Sequence, residues 1–195
     1  MRLIIAPAIL VLSPSLAFAH TGIGHTAGFF HGFEHPIGGL DHILAMVAVG
    51  VFAYVLGGRA LWLVPLAFVG MMIVGFILGA AQIDMPFVEL GIALSSVVIS
   101  AAAARGRPMP AAAAMAMVGV FAVFHGHAHG AEMPADLSGI AYAAGFAIST
   151  ALLHLAGIAA AFGIARLIGR HGKLAAQIAG GAFAVGGVGI SAGWL

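Results

Sequence analysis

The sequence predicts an all-α, polytopic membrane protein with six transmembrane helices after a cleaved signal peptide. Three observations carry that expectation. Of the 195 residues, 63% are hydrophobic and only 7% charged, which is too little polar surface to clothe a water-soluble globule. The apolar residues fall in runs of spanning length, punctuated by glycine, proline and charge. The amino terminus has the three parts of a secretory leader: Met1-Arg2 as a positive start, Leu3 to Leu12 as an apolar stretch, and Ala17-Phe18-Ala19 as a cleavage site.

Taken in order, the leader occupies residues 1–19, and cleavage makes His20 the mature amino terminus of one transmembrane domain, 20–195. The apolar stretch of the leader falls short of the ~20 residues a span needs, which disfavours an uncleaved first helix. Spans read at 37–57, 60–82, 86–104, 110–129, 138–167 and 174–195. All must be helices, because hydrocarbon offers backbone N–H and C=O groups no other partner. Pro86 and Pro110 suit a first helical turn, where a missing N–H costs little, and Gly57-Gly58 and Gly169 suit helix exits. Small residues such as Ala102, Ala103, Gly145, Gly180 and Gly181 allow close helix approach.

Charge sets the orientation. Arg59 falls between the first and second spans, Arg105 and Arg107 between the third and fourth, and Arg166, Arg170 and Lys173 between the fifth and sixth. All mature basic residues therefore lie on one side, which the positive-inside rule makes cytoplasmic. Asp84, Glu89, Glu132, Asp136 and the segment from His20 to Glu34 fall on the other side. Both mature termini are then periplasmic in a bacterial inner membrane, with Trp194 as an interfacial anchor. A net charge of +1 provides no basic face for nucleic acid.

The polar residues inside this apolar chain need a reason. With no cysteine, any metal chemistry must rest on imidazole, carboxylate, thioether or backbone oxygen, and ten histidines are present. "HPIGGLDHILAM", residues 35–46, puts His35 at or before the start of the first span and Asp41 and His42 one to two turns inside it. His35 and His42, seven apart, share a helical face but stand ~10 Å apart along the axis, a spacing for successive ligands on a path. An intramembrane aspartate costs on the order of 2.5–3.5 kcal/mol, so Asp41 must face a partner, a cavity or a cation.

"FHGHAHGAEMP", residues 124–134, closes the fourth span. His125, His129 and Glu132 follow i, i+4, i+7 spacing, so one face presents two imidazoles and a carboxylate while His127 points elsewhere. Histidines with carboxylates and no thiolate suit a borderline divalent ion such as Ni²⁺, Co²⁺ or Zn²⁺. His154 lies mid-bilayer in the fifth span and reads as a further polar step on the same path. Met46 and the Met71-Met72 pair read as packing residues, and His171 as solvated. His20, with the free α-amine, reads with His25 and His31 as a metal-capture tail.

The stretch His35-Pro36-x-x-Gly39-x-Asp41-His42 resembles the H-P-x-x-G-x-D-H motif of the HupE/UreJ family of hydrogenase and urease accessory proteins. "FHGHAHGAEMP" is similar to that family's F-H-G-x-A-x-G-x-E-x-P motif at every fixed position. The resemblance extends to the leader, the six spans and the motif order. It implies a secondary permease, not an enzyme, that imports nickel or cobalt as transported substrate and holds no resident cofactor. By position it assigns His35, Asp41, His42, His125 and Glu132 to the metal motifs; His129 and His154 come from the residue reading alone.

Other classes make distinguishable demands. A zinc protease needs an H-E-x-x-H helix and an iron hydroxylase a richer array of H-x-x-x-H elements, whereas only His31/His35 and His125/His129 have that spacing. A bis-imidazole haem protein has His42 with His154 as its one candidate pair. A membrane metal-binding accessory protein that does not conduct would use the same ligands, and only flux separates it from a permease.

Overall fold

The computed structural model describes residues 25–134 and 137–194. The expected leader, its cleavage site and His20 lie outside them. Among the described residues there is no strand, and nearly all of them are helical: α1 (His25–Gly38), α2 (Leu40–Leu56), α3 (Ala60–Ala80), α4 (Val88–Arg105), α5 (Ala111–Ala131), α6 (Gly139–Ile168) and α7 (Gly172–Ser191). One turn of 3-10 helix, Gly169–His171, joins the last two.

The first expected span, 37–57, is corrected. Helix α1 already runs through His35 and Pro36, ends at Gly38, and gives way to α2 after Gly39 adopts an extended backbone (φ −118, ψ 129). Pro36 has no N–H to donate, and Gly38-Gly39 has the greatest backbone freedom, so the helical ladder is weakest here. The two helices meet at 84°. His35 thus belongs to the last turn of α1 and does not cap the next helix.

Three further helices, Ala60–Ala80, Val88–Arg105 and Ala111–Ala131, are each long and apolar enough to cross a membrane, as is the continuous segment Gly139–Ser191; the bent pair α1–α2 qualifies as a fifth when taken together. Although uninterrupted, Gly139–Ser191 is two helices in space. Gly169 takes a positive φ of 60 that breaks the α-helical course. Beyond it Gly172 packs back against Ala165, and α7 runs antiparallel to α4, with Gly180 against Ser100 and Ala104 and Gly187 against Ser96.

Glycine governs how closely the helices approach. On α3, Gly75 and Gly79 rest on the backbone of Val123 and His127; on α5, Gly126 and Gly130 rest on that of Met72 and Phe76. The two G-x-x-x-G stripes interlock with residue numbers rising together, so α3 and α5 are parallel, and a Cβ at any of the four would strike the opposing main chain. Gly50 of α2 similarly abuts His154 and Gly157 of α6, and Gly32 of α1 abuts Tyr142. Trp62, Leu66, Ile77, Leu152 and Val185 point outward from the bundle, a surface suited to hydrocarbon.

These directions collect the basic residues at one end. The starts of parallel α3 and α5 put Arg59 and Arg107 at the same end, and Gly106, at the end of α4, touches Gln177 of α7 near Lys173. The α1–α2 bend, the α3–α4 connection and the end of α5 occupy the opposite end.

Candidate metal site

The bend at Gly39 converts a path along one helix into a cluster. On a straight helix His35 and His42 would stand ~10 Å apart along the axis; across the bend their ring centroids are 6.5 Å apart. Both reach His129 of α5, whose ring lies 4.4 Å from that of His35 and 5.0 Å from that of His42. The His125 ring, one turn deeper on α5, is 5.1 Å from that of His42.

Two groups of potential ligands result, each with its donor atoms within 4.8 Å of one another: His42, His125 and His129, and His35, His129 and Glu132. His129 belongs to both. In the first group His42 Nε2 and His129 Nε2 are 3.1 Å apart. Two nitrogens each ~2.0–2.1 Å from one ion stand about 3.0–3.4 Å apart, so this pair is spaced for a shared ion with little rearrangement. Burial grades the groups. His35 and Glu132 are exposed, His42 is partly covered, and His125 and His129 are buried.

Neighbouring groups fix which nitrogen is free. Asp41 belongs to neither group; its Oδ1 accepts from His42 Nδ1 at 3.1 Å, which leaves the Nε2 lone pair directed at His129. Gly39 makes this possible, because a Cβ there would fall 2.6 Å from Asp41 Oδ1. At His125, Ser95 Oγ donates its one proton to the Ile92 carbonyl (2.6 Å) and so accepts from His125 Nε2 (2.8 Å). His125 Nδ1 then keeps its lone pair, buried and without a partner among the described residues. Leaving such an atom unpaired costs about 1–3 kcal/mol, a cost that an ion at this position would remove.

The remaining histidines separate. His127 turns away, as its position between His125 and His129 requires, and donates from Nε2 to the Ile83 carbonyl at 2.6 Å, tying α5 to the α3–α4 connection. His154 joins neither group; it lies deeper, with its ring 5.1 Å from that of Phe68. Because His42 Nε2 is engaged with His129, it is not presented to His154 as a pair of haem axial ligands would have to be. Met46 and Met72 are fully buried in the core, while Met71 is exposed.

Sequence reasoning missed Ser95 and Phe68. The signal for the serine was present, since Ser95-Ser96 interrupts an otherwise apolar run; for the phenylalanine there was none, because it is one of 13 in the chain. An open cleft of about 470 Å³, lined by His31, Glu34, His35, Asp41 and His42, leads to the cluster from the end opposite the basic residues. A larger groove of about 910 Å³ beside Met71, Phe87 and Met115 lies on the outside of α3 and α5 and is almost wholly apolar.

A family model described as HupE / UreJ protein matches residues 8–190. A relative named Protein HupE, from Rhizobium leguminosarum bv. viciae, is 45% identical over 181 residues, which is 92% of each chain. No solved structure matches.

Proposed function

The chain belongs to the HupE/UreJ family, and from that premise we propose that it is a secondary permease carrying nickel or cobalt inward across the bacterial inner membrane, for the maturation of hydrogenase or urease metal centres. One observation carries this reading: two ligand groups, one reaching the exposed rim and one set deeper, share His129. An arriving ion exchanges water for Glu132 and His35 at the rim while His129 binds it from within. His42 and His125 then replace Glu132 and His35, and His129 stays bound throughout. No step requires a bare ion, whose desolvation would otherwise dominate the barrier.

Charge favours passage over storage. Glu132 attracts the ion where water still screens it, and the deeper group is three imidazoles, which bind borderline divalent ions directionally without the grip of several carboxylates. In this reading the bent pair α1–α2 and helices α3 to α7 make six crossings, the basic end is cytoplasmic, and both termini are periplasmic.

Uptake of labelled nickel by vesicles containing the purified protein, with cobalt and zinc as competitors, is the direct test. Nickel accumulation above that of protein-free vesicles, inhibited by cobalt, is the expected result. Binding without accumulation would make the protein a metal-holding accessory and end the permease reading. A reporter fused after Leu195 should be active only in the periplasm; cytoplasmic activity would overturn the six-crossing topology.

A further inference from the structure

Beneath the histidine cluster, beside one aromatic ring, lies a second set of donors. His154 is fully buried, and neither ring nitrogen has a partner among the described residues. One turn away on α6, hence on the same face, Thr150 is also fully buried and donates from Oγ1 to Met72 Sδ of α3 at 3.6 Å. Phe68, one turn from Met72 on α3, sets its ring edge-on to His154 at 5.1 Å and 5.8 Å from that of His125. The phenylalanine therefore lies beside both imidazoles.

We propose that His154, Thr150 and Met72 form an inner ion station, occupied after the His42–His125–His129 group, that discriminates against hard cations. Its donors are an imidazole, a hydroxyl and a thioether, all neutral. Among the described residues the buried polar side chains are serines, one threonine and histidines, with no carboxylate. Mg²⁺, Ca²⁺ and Mn²⁺ favour carboxylate, carbonyl and water oxygens, whereas nickel and cobalt accept imidazole and, more weakly, thioether. A hard ion attracted by Glu132 at the rim would find no anionic oxygen further in, and so would return. On α3, α5 and α6 the next buried residues toward the basic end, Val64, Val118, Ile158 and Ala161, are apolar, which leaves His154 as the deepest nitrogen donor on this line.

This inference rests on the permease reading, and the experiment separates the two. Vesicles carrying wild type, His154→Gln or Thr150→Asp are assayed for nickel uptake with and without excess Mn²⁺, and cobalt binding to each protein is followed in detergent by absorption. His154→Gln should bind cobalt at the outer group within about twofold of wild type yet take up nickel about tenfold more slowly or worse. Thr150→Asp, which gives the station an anionic oxygen, should keep cobalt binding and allow Mn²⁺ to inhibit nickel uptake. If His154→Gln loses cobalt binding as well, Thr150→Asp decides: new inhibition by Mn²⁺ supports the station, and unchanged discrimination overturns it. Wild-type uptake rates in His154→Gln overturn the station and leave the permease standing. No uptake by wild-type vesicles overturns both.

Discussion

At the α1–α2 bend, α5 presents His125 and His129 to His42 and His35; about two to three turns nearer the basic end, the same helix contributes Ala114 and Val118 to a core shared with Val64, Phe52 and Ala103. Both ends are held by tight helix packing. At the histidine end, however, the interlocked glycines of α3 and α5 bring main chains together and leave polar side chains with free lone pairs between them and α2. At the other end apolar side chains from alanine to phenylalanine fill most of the space, with the Ser100 hydroxyl buried among them. The contrast teaches that the histidine end holds several polar donors at fixed distances, whereas the basic end is mainly apolar packing. Rigid backbone contact serves the first by fixing distances, and apolar filling serves the second by excluding polar contacts.

Four changes would break or sharpen that contrast. The largest effect is expected from Gly126→Leu, which drives a side chain into the Met72 carbonyl and forces α3 and α5 apart. Stability should fall by on the order of 3 kcal/mol or more, read as loss of monodisperse protein and of a cooperative thermal transition. A variant that folds normally would mean that the glycine stripes do not set the site's geometry.

Next is His129→Ala. Because both ligand groups contain it, cobalt affinity should fall about a hundredfold or more, whereas His35→Ala, which touches the rim group alone, should cost roughly tenfold or less. Equal losses in the two variants, measured by calorimetric titration, would contradict the shared-ligand arrangement.

Asp41→Asn keeps the shape of the side chain and removes the charge that orients His42. An effect of about 10–100-fold on metal affinity is expected for a group that positions a ligand. Affinity equal to wild type would show that the 3.1 Å contact to His42 Nδ1 does not matter to binding.

The smallest effect on metal belongs to Val118→Ala at the apolar end. It should lower stability by about 1–3 kcal/mol through the cavity it leaves while cobalt affinity stays at the wild-type value. A parallel loss of affinity would mean that the two ends are mechanically one unit.

Much of the bundle was legible in the sequence. The boundaries of α3, α4, α5 and α6 fall within a few residues of the apolar runs, because glycine, proline and arginine stand at their ends. The exception is instructive. The run from Ile37 reads as one span because hydropathy does not register a helix break, and Gly38-Gly39 is as compatible with a close helix contact as with a bend. Of the candidate site residues, His35, His42, His125, His129 and Glu132 come together, Asp41 stands behind one of them, and His154 lies apart behind Phe68. The i, i+4, i+7 spacing correctly set His125, His129 and Glu132 on one side of α5, since that spacing is a property of a single helix.

The sequence by itself determined the solvent, the helical class, the elements from α3 onward and the residue types available for metal. Each of these follows from local composition or from spacing within one helix. Only the tertiary structure decided that His42 meets His129, 87 residues away in the chain, and that His129 serves two groups. It alone decided that Asp41 pairs with His42 Nδ1 and that Ser95 pairs with His125 Nε2. Those outcomes depend on the 84° bend at Gly39 and on how closely glycine lets α3 and α5 approach. A bend angle and an interhelical distance are set by the packing of every helix at once, and no window of the sequence contains them.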